Sequence, residues 1–150
     1  MGHTFANLLV HVIFSTKGRA PMLNQGLRDC LFPYMGGIVR ELQSTALAIN
    51  GPADHVHMLI RLSASQSIAD VMRIVKANSS KWVHERWPSL SDFAWQAGYG
   101  AFSVSESNSQ RVKQYIADQE AHHRTVTFQQ EFVAFLKRHH ITYDERYIWD

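Results

Sequence analysis

Alternating apolar and polar positions along the chain predict several β-strands. In residues 7–15 the apolar side chains share one parity, which would bury one face of a strand: Leu8, Val10, Val12 and Phe14. Residues 45–50 predict a second strand, and the turn sequence GPAD joins it to DHVHMLIRL at 54–62, which makes a hairpin. The stretch YGAFSVS at 99–105 predicts a fourth strand after an irregular, aromatic-rich segment at 88–98.

Other segments repeat apolar residues every three or four positions, which is typical of helices. The first stripe runs from Leu27 to Leu42. Cys30 falls on this stripe, so we expect it to pack in the core and not to act as a nucleophile. Pro33 conflicts with the stripe, because proline lacks a backbone donor and crowds the preceding turn. A kink at Pro33, or a helix that begins later, is therefore expected.

Three further helices have recognisable start signals. Ser67 with Asp70 opens the second in a capping-box-like pair. Ser107 with Gln110 opens the third, which we expect to continue to about His123. Thr127 with Gln130 caps the fourth, whose inward side chains would be Phe128, Phe132, Phe135 and Leu136.

The order of these elements predicts the fold class. A strand, a helix, two strands, a helix, a strand and then helices describe an α+β, ferredoxin-like sandwich with an antiparallel sheet and C-terminal helices. The 150 residues fit a single domain, 1–150. This topology hosts many functions, so the function has to be argued from particular residues.

Composition narrows the class of protein only moderately. An apolar content of 45% excludes a disordered chain, and a net charge of +2 permits a nucleic-acid partner without requiring one. The lone Cys30 cannot form an internal disulfide, which favours the cytoplasm. No apolar run reaches the length of a membrane span, so no membrane association is expected. Nine histidines raise the expectation of a metal site.

The two histidines of DHVHML are the first candidate ligands. In a strand, His55 and His57 project from the same face with Cα atoms ~6.5–7 Å apart. Two neutral imidazoles aimed at one volume can chelate a divalent metal. The spacing alone also fits the more common case, a pair of surface histidines on the polar face of the strand.

The third predicted helix carries further candidates. Tyr115 and Gln119 are four residues apart and so lie on one face, and His122 continues that face as an accessory ligand or proton carrier. The alternatives are a boundary tyrosine that reaches water, and two histidines, His122 and His123, that interact with the helix C-terminus. His11, in the first strand, either lines the sheet beside the site or is a structural histidine.

Four sequence segments resemble a known protein family: DHVHML, FAWQAGYGAFSVSES, VKQYIADQEAHH and ITYDERYIWD. With them, essentially the whole chain resembles the single-tyrosine HUH transposases of small bacterial insertion sequences and their relatives, the REP-associated tyrosine transposases. The resemblance implies that Tyr115 attacks DNA and holds its 5′ end as a phosphotyrosine. It also implies a divalent metal, magnesium or manganese, bound by His55, His57 and Gln119.

The same resemblance implies the partners. These transposases are expected to act on single-stranded DNA with hairpins, as homodimers in which the tyrosine helix of one subunit completes the site of the other. Candidate phosphate contacts are Lys17, Arg19, Arg73 and Lys76, each of which could equally be an ordinary solvated cation. No Walker-type loop is present in the sequence, which fits a transesterification that needs no nucleotide cofactor.

Three other functions stay open from the sequence. A replication initiator or relaxase shares the chemistry but usually carries extra domains. A non-catalytic hairpin-DNA-binding regulator, or a domesticated REP-associated protein, would share the fold. A metal enzyme acting on small molecules would instead have a closed pocket and no affinity for single strands.

Overall fold

The structure, a computed structural model, describes residues 2–150. Its strands are β1 (Leu8–Ser15), β2 (Thr45–Asn50), β3 (His55–Leu62) and β4 (Gly100–Val104). Its helices are α1 (Gln25–Glu41), α2 (Ile68–Arg86), α3 (Ser109–Ala117), α4 (Gln119–His122) and α5 (Phe128–Arg138). Short 3₁₀ turns occupy residues 17–19, 88–90 and 106–108.

The four strands form one antiparallel sheet in the order β2-β3-β1-β4. The two central strands are therefore β3 and β1, and their register pairs Ile13 with His57 and Ser15 with His55. Directly opposed residues in an antiparallel pair lie on the same face of the sheet. The predicted α+β class with an antiparallel sheet is confirmed.

The two faces of this sheet pack against different helices. Even-numbered residues of β1 and β3, such as Val12 and Met58, pack with α1 and α2 in the larger core. Odd-numbered residues lie on the other face, where Ile13 contacts the phenylalanines of α5 and Leu59 contacts Ile116 of α3. The sequence predicted one buried face for β1. Both faces are buried, because helices cover the sheet on both sides, whereas Leu8 at the strand start is 43% exposed.

Helix α1 differs from its prediction in two respects. It begins at Gln25, where the Asn24 side chain accepts a hydrogen bond from the backbone N–H of Leu27, and it continues through Pro33 to Glu41. Pro33 is exposed, and the donor that it lacks would have bonded the carbonyl of Asp29, an exposed residue whose oxygen water can reach. The proline therefore leaves no buried acceptor unpaired, and the helix neither starts late nor ends there.

The prediction that Cys30 packs in the core is wrong, because this residue is exposed. The buried residues of α1 follow a narrower stripe than the sequence suggested: Leu27, Leu31, Met35, Ile38 and Val39. Cys30 lies about 100° around the helix from Leu31, on the side turned to solvent.

Two of the three predicted helix caps are confirmed, and one is wrong. Ser67 accepts a hydrogen bond from the Asp70 N–H, and Thr127 with Gln130 forms a complete capping box. Ser107 does not cap α3; its hydroxyl pairs with that of Ser105, and the helix starts two residues later.

The expected continuous helix from Ser107 to about His123 is interrupted. α3 ends at Ala117, Asp118 leaves the helical conformation with φ −93° and ψ 15°, and α4 begins at Gln119. The break is confined to one residue, because Asp118 still donates to the carbonyl of Gln114 and accepts from the N–H of His122.

Within residues 2–150, none of the helices combines the length and apolar character that crossing a lipid bilayer requires.

Gly51, in the turn before β3, tests how tightly the backbone is packed at the start of that strand. A Cβ at this position would lie 2.1 Å from the carbonyl oxygen of His55, which is backbone and cannot move aside. We expect Gly51→Ala to destabilise the protein by about 1–3 kcal/mol, the usual cost of overpacking.

Gly37→Ala is the matched control, because the nearest atom to its Cβ is a guanidinium nitrogen of Arg40 at 3.8 Å. It should stabilise the helix by roughly 0.5–1 kcal/mol through helix propensity. Urea unfolding midpoints measure both changes, and equal midpoints for the two variants would contradict the packing argument.

Candidate active site

The paired histidines lie in the interior of the protein and not on its surface. His55 and His57 are both fully buried, with ring centroids 5.2 Å apart, on the sheet face covered by α3, α4 and α5. The alternative of two surface histidines on a polar strand face is therefore wrong. Burial follows from their odd-numbered parity in β3, which puts them beneath the C-terminal helices.

Two residues that the sequence did not assign to the site join these histidines. His123 follows α4, and its Nε2 lies 3.0 Å from Nε2 of His55. Glu131 on α5 is buried, and its Oε1 lies 2.8 Å from His57 Nε2 and 3.1 Å from His123 Nε2. The same oxygen is 3.4 Å from His55 Nε2. One ligand atom from each of these four residues lies within 4.8 Å of every other, which defines the four-residue cluster.

A signal for Glu131 was present in the sequence. The apolar stripe of α5 contains Phe128 and Phe135, and Glu131 lies between them at helical spacing, three residues after the first and four before the second. An acid on an inward-facing stripe needs a buried partner. The partners are imidazoles from a strand more than 70 residues earlier, which local patterns do not identify.

Tyr115 reaches the same cluster within one chain. Its half-buried hydroxyl donates a hydrogen bond to Oε2 of Glu131 and lies 3.2 Å from Nε2 of His122. Its ring centroid is 5.8 Å from that of His57. Whether the tyrosine also serves the site of a second subunit stays a prediction. The predicted homodimer itself stays a prediction.

Gln119 lies in the break between α3 and α4 and is fully buried. Its amide nitrogen donates to the carbonyl of Tyr115 at 3.2 Å. Its Oε1 is, among the residues that the structure describes, the one buried side-chain nitrogen or oxygen without a hydrogen-bond partner. Such an orphaned acceptor needs an explanation, and an ion or a water is the usual one. The amide oxygen thus has the free lone pairs that a ligand role requires.

The predicted accessory residue His122 lies at the edge of the site. Its side chain is 30% exposed, and its Nε2 is 3.2 Å from Oε2 of Glu131 as well as close to the hydroxyl of Tyr115. It therefore connects the buried tyrosine with solvent.

Each imidazole of the cluster is oriented by a partner on its Nδ1. The partner is the carboxylate of Asp54 for His55, at 2.7 Å, and the backbone carbonyl of Val126 for His123, at 2.6 Å. For His57 it is Nε2 of His11, at 2.8 Å. His11 is thus a buried structural histidine that lines the site. Because every Nδ1 is engaged, all three Nε2 atoms face the centre of the cluster.

Burial and hydrogen bonds within the cluster shift the pKa values of its ionisable groups. Burial opposes ionisation of Glu131, but hydrogen bonds from His123, His55 and His57 hold the pKa of its carboxyl far below the usual range. Burial lowers the pKa of His57 to about 4, against the attraction of Glu131. Burial, together with the hydrogen bond to Glu131, raises the pKa of Tyr115. The site therefore holds one carboxylate and a protonated phenol in contact.

The four predicted phosphate contacts lie away from this cluster, along two neighbouring cavities. Lys17 and Arg19 line one of about 680 Å³, and Arg73 and Lys76 line another of about 490 Å³. Both cavities share the wall formed by residues 94–97.

Three of these four cations already have partners within the chain. Lys76 donates to the carbonyls of Ala97 and Gly98 at 3.0 and 2.8 Å. The guanidinium of Arg19 lies over the ring of Trp149, and Arg73 is within 3.7 Å of Asp70. Phosphate binding by these residues stays a prediction.

The fold and the site together define a class: an α+β protein with an antiparallel sheet whose strand-borne histidine pair faces a tyrosine on a separate helix. The family model described as "Transposase IS200 like" matches residues 4–119. The chain belongs to this IS200-like transposase family.

Two curated transposases illustrate the similarity. The ISDra2 transposase TnpA of Deinococcus radiodurans is 25% identical over 114 residues, which cover 73% of this chain and 81% of that protein. The transposase of insertion sequence IS200 from Salmonella typhimurium is 27% identical over 129 residues, 79% of this chain and 81% of its own.

Two solved structures share the fold. A crystal structure of a Deinococcus radiodurans protein assigned as a transposase superposes with a TM-score of 0.65 at 24% identity, over 79% of this chain and 96% of that one. A REP-associated tyrosine transposase bound to a REP hairpin superposes with a TM-score of 0.62 at 14% identity, over 84% and 74% of the two chains.

The pKa of His11 provides a test of how the histidine pair is buried. Burial, with repulsion from His57, lowers the pKa of His11 from 6.5 to about 3. Because the pKa of His11 is lower in the folded protein than in the unfolded chain, the unfolded chain takes up the proton first as the pH falls. The free energy of unfolding therefore decreases as the pH falls below 6.5. Between pH 7 and pH 5 we expect the wild type to lose about 2 kcal/mol more than His11→Phe, at ~1.4 kcal/mol per pH unit.

Urea unfolding in the presence of a chelator, at both pH values, measures this difference. His140→Phe makes the same substitution at an exposed position and should keep the wild-type pH dependence. An equal loss of stability in His11→Phe and the wild type would mean that His11 does not titrate as a buried group.

Proposed function

We propose that this protein is a transposase that cuts single-stranded DNA and rejoins it by transesterification through Tyr115. The observation that carries the proposal is the meeting of the Tyr115 hydroxyl and the buried histidine pair around one carboxylate, Glu131, in a single chain. A nucleophile and a ligand set in contact are what phosphoryl transfer by a covalent intermediate needs.

The first step forms one bond and breaks another at phosphorus. The Tyr115 oxygen attacks the phosphorus, the DNA 3′ oxygen leaves, and the 5′ end is held as a phosphotyrosine. Because the phosphodiester energy is retained, no nucleotide is consumed. In the reverse sense, a DNA 3′ hydroxyl attacks the phosphotyrosine, and the phenol leaves more readily than an alkoxide because its reference pKa is ~10.

Two residues handle the phenol proton. Glu131 accepts the hydrogen bond of the hydroxyl and so fixes the direction of the oxygen lone pairs. As the bond to phosphorus forms, the proton moves along this hydrogen bond to Oε2 of Glu131, and His122, whose Nε2 is 3.2 Å from that oxygen, passes it to solvent. The raised pKa of Tyr115 means that the hydroxyl stays protonated until the substrate is in position.

The residues present fit a divalent metal. His55 and His57 present Nε2 atoms to the cluster, and Gln119 has an orphaned buried amide oxygen, so these three side chains would hold the ion that the family uses, magnesium or manganese. When bound, the ion polarises the non-bridging oxygens of the scissile phosphate and orients it.

The proposed substrate is single-stranded DNA with a hairpin. A structural relative is bound to a REP hairpin, which supports this substrate class for the present chain. The hairpin phosphates would contact Lys17, Arg19, Arg73 and the remaining donor of Lys76 along the two neighbouring cavities. We further propose a homodimer, as the family resemblance implies.

Covalent capture of DNA tests the nucleophile. Labelled single-stranded oligonucleotides with candidate hairpins are incubated with the protein and Mn²⁺, and adducts are resolved on denaturing gels. We expect Tyr115→Phe to lose the adduct completely, because phenylalanine has no oxygen to attack phosphorus, while hairpin binding is kept. Tyr147→Phe, which alters a tyrosine that is 67% exposed, should form the adduct normally.

Hairpin binding by the wild type without any adduct would instead support a non-catalytic regulator. An adduct that survives in Tyr115→Phe would show that another residue is the nucleophile.

His57→Ala separates the chemistry from DNA binding. Removing this imidazole takes away a ligand, leaves His11 without its hydrogen-bond partner and removes one of the partners of Glu131, so cleavage should fall below detection. Hairpin affinity should change by less than about threefold, since the basic residues lie elsewhere. Gel-shift and thermal unfolding measurements check this expectation, and loss of cleavage and binding together would indicate that His57 is structural.

A further inference from the structure

We propose that His123 and Glu131 are metal ligands beside His55 and His57, so that one chain supplies a four-ligand site which binds a borderline transition-metal ion such as Zn²⁺ far more tightly than Mg²⁺. The inference rests on the metal site of the proposed function and changes its ligand set and its metal preference. Both added residues lie beyond the residues 4–119 that the family model matches.

The hydrogen atoms on two of the histidines can be assigned from their partners. A backbone carbonyl only accepts hydrogen bonds, so His123 carries a hydrogen on the Nδ1 that faces Val126. The carboxylate of Asp54 likewise accepts from Nδ1 of His55. A neutral imidazole with its hydrogen on Nδ1 has only a lone pair on Nε2. In the neutral form that binds a metal, the two Nε2 atoms, 3.0 Å apart, therefore point their lone pairs into the same space.

Glu131 adds a third acceptor to the same point. Its Oε1 is 3.1 Å from Nε2 of His123 and 3.4 Å from Nε2 of His55, and all three side chains are buried or nearly so. Acceptors held this close, out of water, repel one another unless a positive charge lies between them. A proton on an imidazole supplies this charge when no ion is bound, and a metal ion would replace it.

The spacing suits an ion the size of zinc. A tetrahedral site with bonds of ~2.0–2.1 Å has ligand atoms ~3.4 Å apart. The contacts of Glu131 Oε1 with the three histidines and the His55–His123 contact span 2.8–3.4 Å. These four contacts would need to lengthen by up to about 0.6 Å, and the two remaining pairs of ligand atoms lie within 4.8 Å.

The ligand types favour the same class of metal. Three imidazole nitrogens and one carboxylate oxygen suit zinc and neighbouring transition metals, whereas magnesium prefers oxygen ligands and keeps several waters. The Nδ1 partners Asp54, His11 and Val126 are the outer contacts that orient metal-bound histidines.

This ligand set would also fix the nucleophile. With Oε1 of Glu131 on the ion, Oε2 still accepts the hydrogen bond from Tyr115. The carboxylate then joins the metal to the attacking hydroxyl, and the orphaned oxygen of Gln119 is available as a further ligand.

Metal binding without DNA tests the proposal. Protein stripped with a chelator is titrated with Zn²⁺ and with Mg²⁺ by calorimetry, and with Co²⁺ as a visible-absorption probe of four-coordinate geometry. We expect Zn²⁺ to bind at least 1,000-fold more tightly than Mg²⁺. We also expect His123→Ala and Glu131→Gln each to weaken Zn²⁺ binding at least 100-fold, since even outer contacts of a metal site are worth 10–100-fold.

Matched controls are available at exposed positions. His140→Ala and Glu120→Gln should bind Zn²⁺ as the wild type does. Wild-type affinity in both His123→Ala and Glu131→Gln, or equal affinity of the wild type for Zn²⁺ and Mg²⁺, would overturn the proposal.

A measurement on the wild type tests the ligand set even if the variants fail to fold. X-ray absorption at the zinc edge should count three imidazoles with nitrogens at ~2.0–2.1 Å. A count of two imidazoles would remove His123 from the site and overturn the proposal. The outcome is separable from the proposed function: Tyr115→Phe should lose the DNA adduct but keep Zn²⁺ affinity.

Discussion

The buried carboxylate of Glu131 is the group on which the arrangement of the site depends. A charge taken out of water is strongly destabilising unless other groups compensate it. Here the compensation comes from His55 and His57 on β3 and from His123 after α4, while the second oxygen is used by Tyr115. One residue of α5 therefore holds the histidine strand, the tyrosine helix and the C-terminal helices in a single geometry.

This concentration of polar groups is possible because the two faces of the sheet have different roles. On one face, the even-numbered residues of β1 and β3 pack with α1 and α2 in a mainly apolar core. On the other, apolar contacts from Ile13, Leu59 and the α5 phenylalanines surround the polar cluster and keep water out. The larger core can support the fold while the second face accommodates buried imidazoles, a carboxylate and a phenol.

The break at Asp118 links the fold to the chemistry. Just beyond it, Gln119 is buried and bonds to the carbonyl of Tyr115, and His123 reaches His55. Two residues of the cluster, His123 and Glu131, lie beyond residues 4–119, which the family model matches.

Much of the secondary structure and part of the site could be predicted from local sequence patterns. Periodicity predicted the strands, the main helices and the antiparallel α+β class, because alternation and helical spacing record which side of each element is buried. The parity of β3 put His55 and His57 on one face, and helical spacing put Tyr115 beside Gln119. The exposed Cys30 and the uninterrupted passage through Pro33 were missed, because the width of a buried stripe depends on what packs against the helix.

Tertiary structure alone decided which residues meet. Local spacing carries no information on contacts between His57 and Glu131, which lie 74 residues apart in the chain. It also could not indicate that Tyr115 meets the histidines of its own chain, since that depends on how α3 docks on the sheet. The amino-acid pattern determined the elements and their buried faces, and the packing of α3, α4 and α5 on the sheet determined the site, because only close packing brings distant polar groups to one desolvated point.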